Sequence, residues 1–305
     1  MDSTYVTGLS KFRSVNDGCL HGQFNITGTE TGRLSSSKPN LQNIPAEGGI
    51  KNMFKSRFEG GYILEADYSQ IELRVAAMIA KDEKMLKDFL SGKDLHALTA
   101  ARMFKIDVDQ VERWQRVRAK RLNFGVLYGM GGESVAEAFG ISKKDGQQYL
   151  DLYYNVYRGI RRWQLETQDI AKKFRYSETP WGRRRVFEAG LEEHAMLREA
   201  INSPIQGQAS DFTLLSSVFI DNMLRRESLI SKLIFEVHDS IGLDVHPDEK
   251  GLVVRIVHGV MTRVKDLARV VGLPYEWITL PVEAEMKLGN SWGTTTPVEV
   301  GSLVG

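Results

Sequence analysis

The feature that most constrains this chain is a set of basic and aromatic residues within residues 116–129. Arg116, Lys120, Phe124 and Tyr128 follow one another at intervals of four. Because an α-helix has about 3.6 residues per turn, these side chains form a single stripe that drifts by roughly 40° per step. The spacing predicts a helix, and the glycines that begin at residue 129 predict its end. We call these four residues the basic–aromatic stripe.

The charges of this segment indicate which kind of ligand the stripe could bind. From residue 111 to residue 130 there are five basic residues and a single acid, Glu112. Glu112 is expected to pair with Arg116, worth about 0.3–0.5 kcal/mol, and to cap the helix together with Asp109. Lys120 has no acid at helical spacing. Such a helix suits an anionic ligand with a flat apolar part, such as a nucleotide; the alternative is a solvated basic face that ends in core aromatics.

The composition narrows the class of protein. The 305 residues carry a net charge of only +1, which argues for charge segregated on one face and against a uniformly basic nucleic-acid binder. The single cysteine, Cys19, excludes a disulfide framework and a cysteine-based zinc site. Residues 1–5 lack the features of a signal peptide, and no apolar run nears the ~18 residues that span a bilayer. We therefore expect a soluble, cytoplasmic protein of one large or two smaller domains.

Two acidic residues fall where strands are predicted to end. Residues 61–67 form a β-prone apolar run that closes on Asp67, and a helix is predicted from Gln70 onward. His238 and Asp239 lie between two further β-prone runs, which predicts a hairpin with this polar pair near its tip. The alternative role for Asp67 is to cap the following helix.

The two carboxylates and the cationic helix between them in sequence suit one reaction class. Phosphoryl or nucleotidyl transfer by two metals needs aspartates that bridge two Mg²⁺ ions about 3.5–4 Å apart. Hard oxygen ligands, without paired histidines or cysteines, favour Mg²⁺ over zinc. Arg116 and Lys120 would neutralise a triphosphate and the charge that develops as pyrophosphate leaves.

Three other segments could have either a functional role or an ordinary structural one. Residues 27–45 are by default a solvated loop with Arg33 exposed, or else a loop that grips a nucleic-acid backbone. A lone helical histidine such as His96 is usually structural. In a helical zone that ends near residue 226, Pro204 must kink or restart the helix. Three polar residues of this zone recur at intervals of four: Arg198, Asn202 and Gln206.

Together these motifs resemble those of family A DNA polymerases, the bacterial polymerase I and phage polymerase group. The first family motif is matched by residues 67–74, the second by the basic–aromatic stripe with Gly129, and the third by His238 and Asp239. Further matches lie in residues 31–45, 94–96 and 202–207, and the motifs occur in the family's order over about residues 20–293. Several long motifs at compatible spacing make the resemblance specific.

The resemblance implies an α+β polymerase right-hand fold, with an antiparallel-sheet palm, inserted helical fingers and a largely absent thumb. It divides the chain into a first palm part at 1–94, fingers at 95–195 and a second palm part at 196–305. It implies template-directed DNA synthesis, in which two-metal nucleotidyl transfer adds deoxynucleotides to a primer 3′ end.

The resemblance also implies roles for single residues. Asp67 and Asp239, with the Tyr68 backbone, would hold two Mg²⁺ ions, and Lys120 would act in catalysis. The incoming deoxynucleoside triphosphate would contact Arg116, His96, Phe124, Tyr128, Glu72 and Gln70. Primer–template DNA would contact Arg33, Arg198, Asn202, Gln206 and His238. Among these residues, Glu72 would crowd the ribose 2′ position and exclude ribonucleotides.

Two departures from the family pattern leave alternatives open. Ser240 replaces the glutamate that usually follows Asp239, and no thumb or 3′–5′ exonuclease is matched. The chain would then need a thumb- or exonuclease-bearing subunit or a processivity factor, in the cytoplasm of a bacterial or phage-infected cell. The alternative is a polymerase-like DNA-binding or assembly subunit with little or no turnover. A single-subunit RNA polymerase is disfavoured because Glu72 occupies the ribose-screening position. No membrane partner is expected.

Overall fold

A computed structural model of the chain describes residues 8–45 and 48–303. The amino-terminal residues on which the localisation prediction rests lie outside the described residues. The chain forms two compact units. The first comprises Met1–Ser69, Ala209–Leu273 and Pro281–Gly305, and the second comprises Gln70–Gln208 and Pro274–Leu280. The domain boundaries after residues 94 and 195 stay a prediction.

The described residues combine short strands with longer helices. The strands are β1 (Gln23–Asn25), β2 (Ser35–Ser37), β3 (Tyr62–Tyr68), β4 (Tyr176–Glu178), β5 (Arg184–Val186), β6 (Lys232–Val237), β7 (Ser240–Val245), β8 (Ala284–Gly289) and β9 (Thr296–Pro297). The helices are α1 (Ile71–Ile79), α2 (Glu83–Leu90), α3 (Leu95–Phe104), α4 (Arg113–Leu127), α5 (Gly132–Phe139), α6 (Lys143–Val156), α7 (Arg158–Phe174), α8 (Glu193–Arg226), α9 (Lys250–Thr262) and α10 (Val264–Val270).

The first unit is built on a five-stranded antiparallel sheet with β3 at its centre. The spatial order of the strands is β6-β7-β3-β8-β9. Leu64, Ala66 and Tyr68 alternate along β3, lie on one face of the sheet and are buried, and α9 packs against β3 and β8. A register shift of one residue would exchange the two faces of β3 and expose these apolar side chains. The core therefore fixes the position of Asp67 near the end of the strand.

The predicted hairpin around His238 and Asp239 is confirmed. β6 and β7 pair antiparallel, with Val237 opposite Ser240, so the two residues between them form the tip. His238 has a φ of +57°, in the left-handed region that non-glycine residues seldom adopt. The Ser240 hydroxyl donates to the Val237 carbonyl at 2.9 Å and closes the turn.

The second unit is mainly helical and contains the basic–aromatic stripe. The predicted helix is confirmed as α4, which ends at Leu127. Gly129 then has a φ of +74°, a conformation that favours glycine. A Cβ atom at Gly129 would lie only 2.6 Å from the Cγ atom of Arg198, so the close packing of this side chain also requires glycine.

The predicted helix that carries Arg198 is confirmed as α8, which runs without interruption from Glu193 to Arg226, so of the two effects predicted for Pro204 a restart of the helix is wrong. Proline removes one backbone donor at a cost of about 3 kcal/mol. Burial of the neighbouring Ala200, Ile201 and Ile205 offsets that cost. Although α8 is long, none of the helices in the described parts of the chain is long and apolar enough to cross a membrane.

Candidate active site

The first unit brings Asp67 and Asp239 together. Asp67 of β3 lies opposite Ser240 of β7, and Asp239 is the residue next to Ser240 at the hairpin tip. The Tyr68 amide donates to the Asp239 carbonyl at 3.3 Å, which ties β3 to the tip. Directly paired residues of antiparallel strands lie about 4.5–5.5 Å apart. The two aspartates predicted to share metal ions are therefore neighbours.

Burial makes the Asp67 carboxylate costly to ionise. Desolvation raises the pKa of Asp67 from 3.8 to about 6, and Glu65 and Glu285 add to the rise while Lys287 opposes it. A carboxyl group with a raised pKa gains stability when a cation approaches. The alternative role predicted for Asp67, as the cap of the following helix, is wrong, because Gln70 holds the N-cap position of α1.

Arg33 lies against the Asp239 carboxylate. The Arg33 Nη2 atom is 3.7 Å from Asp239 Oδ1, and both side chains are about three-quarters buried. The Ser210 hydroxyl donates to the Gly32 carbonyl at 3.2 Å and anchors the Arg33 loop to α8. The default expectation of an exposed Arg33 in a solvated loop is therefore wrong, because the loop is held by residues distant in sequence.

Sequence reasoning missed Glu236. This β6 glutamate is buried, and burial raises its pKa from 4.5 to about 7. The nearby Asp239 charge adds to the rise, while a hydrogen bond from Ser217 opposes it. The sequence signal that could have identified Glu236 is an acidic residue within the apolar, β-prone run of residues 233–237. Glu236 thus places a further carboxyl group close to Asp239, three residues before it.

We expect Glu236→Gln to stabilise the protein at alkaline pH. The folded state binds the Glu236 proton more tightly than the unfolded state, so the free energy of unfolding falls as pH rises from 4.5 to about 7. One pKa unit corresponds to about 1.4 kcal/mol, so glutamine should add up to about 3 kcal/mol at pH 8 and almost nothing near pH 4.5. Urea denaturation at both pH values measures this difference.

The exposed Glu227 of the same unit provides the matched control. Glu227→Gln removes an equal charge without relieving burial, and should leave the free energy of unfolding within ~0.5 kcal/mol of wild type. An equal effect of Glu236→Gln at pH 4.5 and pH 8 would contradict the burial account.

The second unit places His96 against the basic–aromatic stripe. The rings of His96 and Phe124 have centroids 5.8 Å apart, and Lys120 Nζ lies 6.0 Å from the Phe124 ring centroid. Lys120 is exposed, and none of the ion pairs among the described residues includes it. Lys120 therefore presents a positive charge on an exposed face beside the Phe124 ring, and the buried His96 of α3 packs against the same ring.

Arg116 has a different partner from the one predicted. Its Nε and Nη2 atoms donate to Asp94 Oδ2 at 3.0 and 2.5 Å, whereas Glu112 accepts from Trp114 Nε1. The carboxylate of Asp94 also caps α3 by accepting from the Ala97 amide at 2.8 Å. Glu112 is the N-cap residue of α4, where it takes part in a capping box with Gln115 and accepts from Trp114, so its carboxylate is engaged at the start of the helix.

His96 is an uncharged histidine in this setting. It is almost fully buried, and desolvation lowers its pKa from 6.5 to about 4. The Asp94 carboxylate opposes this shift, while the Arg116 and Lys120 charges reinforce it. At neutral pH, His96 therefore has one ring N–H to donate and one lone pair to accept a hydrogen bond.

Glu72 and Tyr128 form a pair at the end of the stripe. Tyr128, the residue after α4, donates from Oη to Glu72 Oε2 in a short hydrogen bond. Glu72 lies in α1 and is buried. Two residues earlier, Gln70 adopts a φ of +53°, and its buried Oε1 atom accepts no hydrogen bond within the described residues. These three predicted substrate residues share one unit.

The predicted DNA-contacting residues fall in both units. Arg33 and His238 belong to the first unit. Arg198, Asn202 and Gln206 lie on the part of α8 that belongs to the second. The Oδ1 atom of Asn202 is buried and has no hydrogen-bond donor among the residues that the structure describes.

The acids of the first unit fit Mg²⁺ better than a structural metal. Within the described residues, no group of three or more His, Cys, Asp or Glu side chains could hold an ion by itself. Mg²⁺ is commonly bound by only one or two carboxylates, with substrate phosphates and water completing its shell. Asp67 and Asp239 offer that donor set, and a cation beside Asp67 would offset the desolvation that raises the pKa of its carboxyl group.

Comparisons with known proteins relate this chain to DNA polymerases. The family model described as DNA polymerase family A matches residues 1–294. DNA polymerase I of Chloroflexus aurantiacus is 35% identical over 99% of this chain and 32% of its own length. The thermostable DNA polymerase I of Thermus aquaticus is 35% identical over 96% of this chain and 34% of its own length. The chain thus spans about a third of these relatives.

A solved structure shares the fold. The POL domain of Pol1 from M. smegmatis, in complex with DNA primer-template and dNTP, aligns with a TM-score of 0.85 and 32% identity. The match covers 94% of this chain and 50% of that one. The family model, the relatives and the shared α+β fold lead to one conclusion: the chain belongs to DNA polymerase family A.

Proposed function

We propose that this chain carries the polymerising site of a template-directed DNA polymerase. The site adds deoxynucleotides to a primer 3′ end and releases pyrophosphate. The observation that carries this proposal is the adjacency of Asp67 and Asp239 on paired strand ends. Primer–template DNA and a deoxynucleoside triphosphate, the ligands of the M. smegmatis POL domain, are the substrates proposed for this chain.

Asp67, Asp239 and the Tyr68 backbone would hold two Mg²⁺ ions. When bound, these ions would stabilise the negative charge that develops during attack by the primer hydroxyl and departure of pyrophosphate. The chain's own contribution is to hold two carboxylates side by side on a rigid sheet. The Tyr68 amide and the Ser240 hydroxyl fix the hairpin tip that carries Asp239.

The stripe would bind the triphosphate. Lys120 and Arg116 supply positive charge, and His96 supplies a neutral N–H donor. Asp94 holds Arg116 in place before substrate binds, which reduces the ordering cost on binding. Phe124 and Tyr128 present flat apolar surface to the sugar and base.

The Glu72 carboxylate would screen the sugar. Glu72 is buried and is held by Tyr128, so a ribose 2′ hydroxyl next to it would meet a fixed group. We expect Glu72→Ala to raise the kcat/KM of a ribonucleotide relative to its deoxynucleotide by about 10–100-fold. Paired single-nucleotide incorporation of CTP and dCTP measures this ratio. Glu133→Ala, which removes an exposed glutamate of α5, should leave it unchanged. A ratio that stays at the wild-type value in Glu72→Ala would remove the proposed screening role.

The minor groove of the primer–template would contact Arg33, His238 and the α8 residues. The intervals of four that separate Arg198, Asn202 and Gln206 on α8 support this contact, because they place the three side chains along one stripe of the helix. Phosphate contacts from Arg33 and Arg198 would position the duplex without reading its sequence.

The proposal predicts that Asp239→Ala abolishes primer extension. Loss of one of two shared metal ligands should lower the rate by ~10³-fold or more, since several kcal/mol of charge stabilisation depend on it and each 1.4 kcal/mol is tenfold. Asp248→Ala removes an exposed carboxylate of the same unit and serves as the control. Extension by Asp239→Ala at the wild-type rate would rule out the mechanism.

A second candidate function is a DNA-binding or assembly subunit with little turnover. The observation in its favour is Ser240, whose hydroxyl closes the hairpin where the family usually has a glutamate. It predicts that the wild-type chain binds primer–template without extending it, even when partners are added. An RNA polymerase activity would instead require RNA synthesis at rates comparable to DNA synthesis.

The remaining proposals concern partner subunits, cellular location and biological role. We propose that a subunit bearing a thumb or exonuclease, or a processivity factor, strengthens the binding of primer–template DNA to this chain. Affinity purification of the native protein would identify such a subunit. A cytoplasmic location in a bacterial or phage-infected cell, and a role in DNA replication, belong to the same proposal.

A further inference from the structure

Asn123 connects His96 to a buried network in the second unit. Asn123 lies in α4, one residue before Phe124, and is completely buried. Its Nδ2 atom is 2.9 Å from His96 Nδ1, and its Oδ1 atom accepts from the Thr99 hydroxyl at 3.1 Å. Both ends of the amide therefore have partners, one on the histidine and one on the same helix as the histidine.

We infer that Asn123 is a positioning residue, which holds His96 in the tautomer that carries its proton on Nε2. An amide nitrogen only donates hydrogen bonds, so the His96 nitrogen that faces it must accept. The proton of the neutral ring then lies on Nε2. That nitrogen becomes the ring's single donor, and we assign a phosphate oxygen of the incoming nucleotide as its acceptor. This last assignment rests on the proposed function.

The surroundings of His96 favour the same state. Protonation of Nδ1 would bring an N–H against the Asn123 amide hydrogens, in addition to the cost of charging a buried ring near Arg116 and Lys120. Asp94 is the acid that favours the charged ring, and its carboxylate is already engaged by Arg116 and by the Ala97 amide. The pKa of His96, about 4, keeps the ring neutral over the working range.

The network behind Asn123 is rigid. The Thr99 hydroxyl lies 3.4 Å from the Tyr157 hydroxyl, which donates to Asp88 at 3.0 Å. Arg102 donates to Asp88 through both Nη atoms, at 2.7 and 2.9 Å. The Thr99 hydroxyl also donates to the Leu95 carbonyl of its own helix at 2.9 Å, so its proton is shared between that carbonyl and the Asn123 Oδ1 atom. The surroundings of the Asn123 amide are thus set by helices α2 and α3 and by Tyr157, which lies between α6 and α7, as well as by His96.

The first test reads the tautomer in the free protein, without substrate. Nitrogen-15 NMR distinguishes protonated from unprotonated ring nitrogens, and the His96→Gln variant identifies the His96 signals among the six histidines. We expect a protonated Nε2 and an unprotonated Nδ1 between pH 6 and pH 8. A protonated Nδ1 in the wild-type protein overturns the inference.

The second test removes the amide. In Asn123→Ala, we expect the two tautomers to mix and the pKa of His96 to rise from about 4 toward its ordinary 6.5. Thr99→Val, which keeps the side-chain volume but releases the amide, should shift both quantities in the same direction and serves if Asn123→Ala does not fold. Gln164→Leu is the matched control, because the Gln164 amide is also buried and donates to Val126 of α4 without reaching His96. An unchanged tautomer in both test variants, or an equal change in Gln164→Leu, overturns the inference.

The third test concerns the phosphate. Addition of dATP with Mg²⁺ should shift the Nε2 proton signal of wild-type His96, and Asn123→Ala should raise the KM for dATP by about tenfold with a smaller change in kcat. A wild-type protein that never extends a primer would remove the proposed function and leave the tautomer result standing. A KM that does not move in Asn123→Ala, in a protein that does extend primers, removes the phosphate contact.

Discussion

Asp67→Asn should produce an inactive protein that is more stable than wild type. Primer extension is expected to fall by ~10³-fold or more, because an amide is a weak ligand for Mg²⁺ and cannot bridge two ions. The free energy of unfolding should rise by up to about 3 kcal/mol at pH 8, because asparagine removes a buried charge whose pKa is raised from 3.8 to about 6.

The sign of the stability change follows from proton binding. Between pH 3.8 and about 6, the folded state of wild type holds the Asp67 proton that the unfolded state has released. The free energy of unfolding therefore falls as pH rises through this window, and the fall is complete above it. The difference between variant and wild type should vanish near pH 4. Chemical denaturation at pH 4 and pH 8, with primer extension at pH 8, measures both effects.

Glu285→Gln provides a matched control for Asp67→Asn. Glu285 lies opposite Asp67 on β8 and carries the same charge, but it is exposed. Its loss should lower the pKa of Asp67 slightly and leave extension within a few fold of wild type. An Asp67→Asn protein that extends primers normally, or that loses activity together with stability, would contradict the assignment of Asp67 as a costly carboxylate kept for metal binding.

Lys120→Gln should lower the rate of nucleotide incorporation by ~10²–10³-fold. Lys120 carries its charge on an exposed face of α4, and no ion pair among the described residues uses it. A charge held free in this way can act on the phosphates, where removal of one stabilising group commonly costs that much in rate. Single-turnover incorporation of one correct nucleotide separates this step from DNA binding and product release.

The same helix provides the control for Lys120→Gln. Arg113→Gln removes an equal charge from the first turn of α4, away from His96 and Phe124. If the stripe acts through general attraction of the triphosphate, the two variants will weaken binding alike. If Lys120 acts at a defined phosphate, only Lys120→Gln will slow the chemical step. Equal and small effects in both variants would remove the specific role.

The elements of the site were predictable from sequence because each follows a local rule. The period of four from Arg116 to Tyr128 arranges these residues as one stripe, which drifts by roughly 40° per step whatever the helix packs against. Likewise, the strand that ends near Asp67 and the hairpin around His238 follow from apolar runs and the residues between them. Residue spacing and the position of apolar runs were therefore sufficient to predict these elements.

The partners of these residues were not predictable in the same way. Arg116 pairs with Asp94 rather than with Glu112, because packing of α3 against α4 brings in a carboxylate from 22 residues away in sequence. Asn123 reads in the sequence as an ordinary polar helix residue, and its contact with His96 exists only once the same two helices meet. Side-chain contacts that depend on tertiary packing produce no periodic pattern in the sequence, so the sequence does not predict them.

Glu236 and Pro204 show where local rules were insufficient. A buried glutamate and a proline within a helix each cost a few kcal/mol, so local sequence alone does not predict either of them. Burial of neighbouring apolar residues, such as Ala200, Ile201 and Ile205 beside Pro204, offsets these costs.

The central claim, that Asp67 and Asp239 share divalent ions, is tested most directly by counting bound metal. Mn²⁺ can replace Mg²⁺, and electron paramagnetic resonance reports how many ions the protein holds with primer–template and a non-hydrolysable deoxynucleoside triphosphate. We expect two tightly bound ions in wild type, and loss of tight binding in both Asp67→Asn and Asp239→Asn but not in Glu285→Gln. Two ions still bound in the Asp67→Asn, Asp239→Asn double variant would contradict the account.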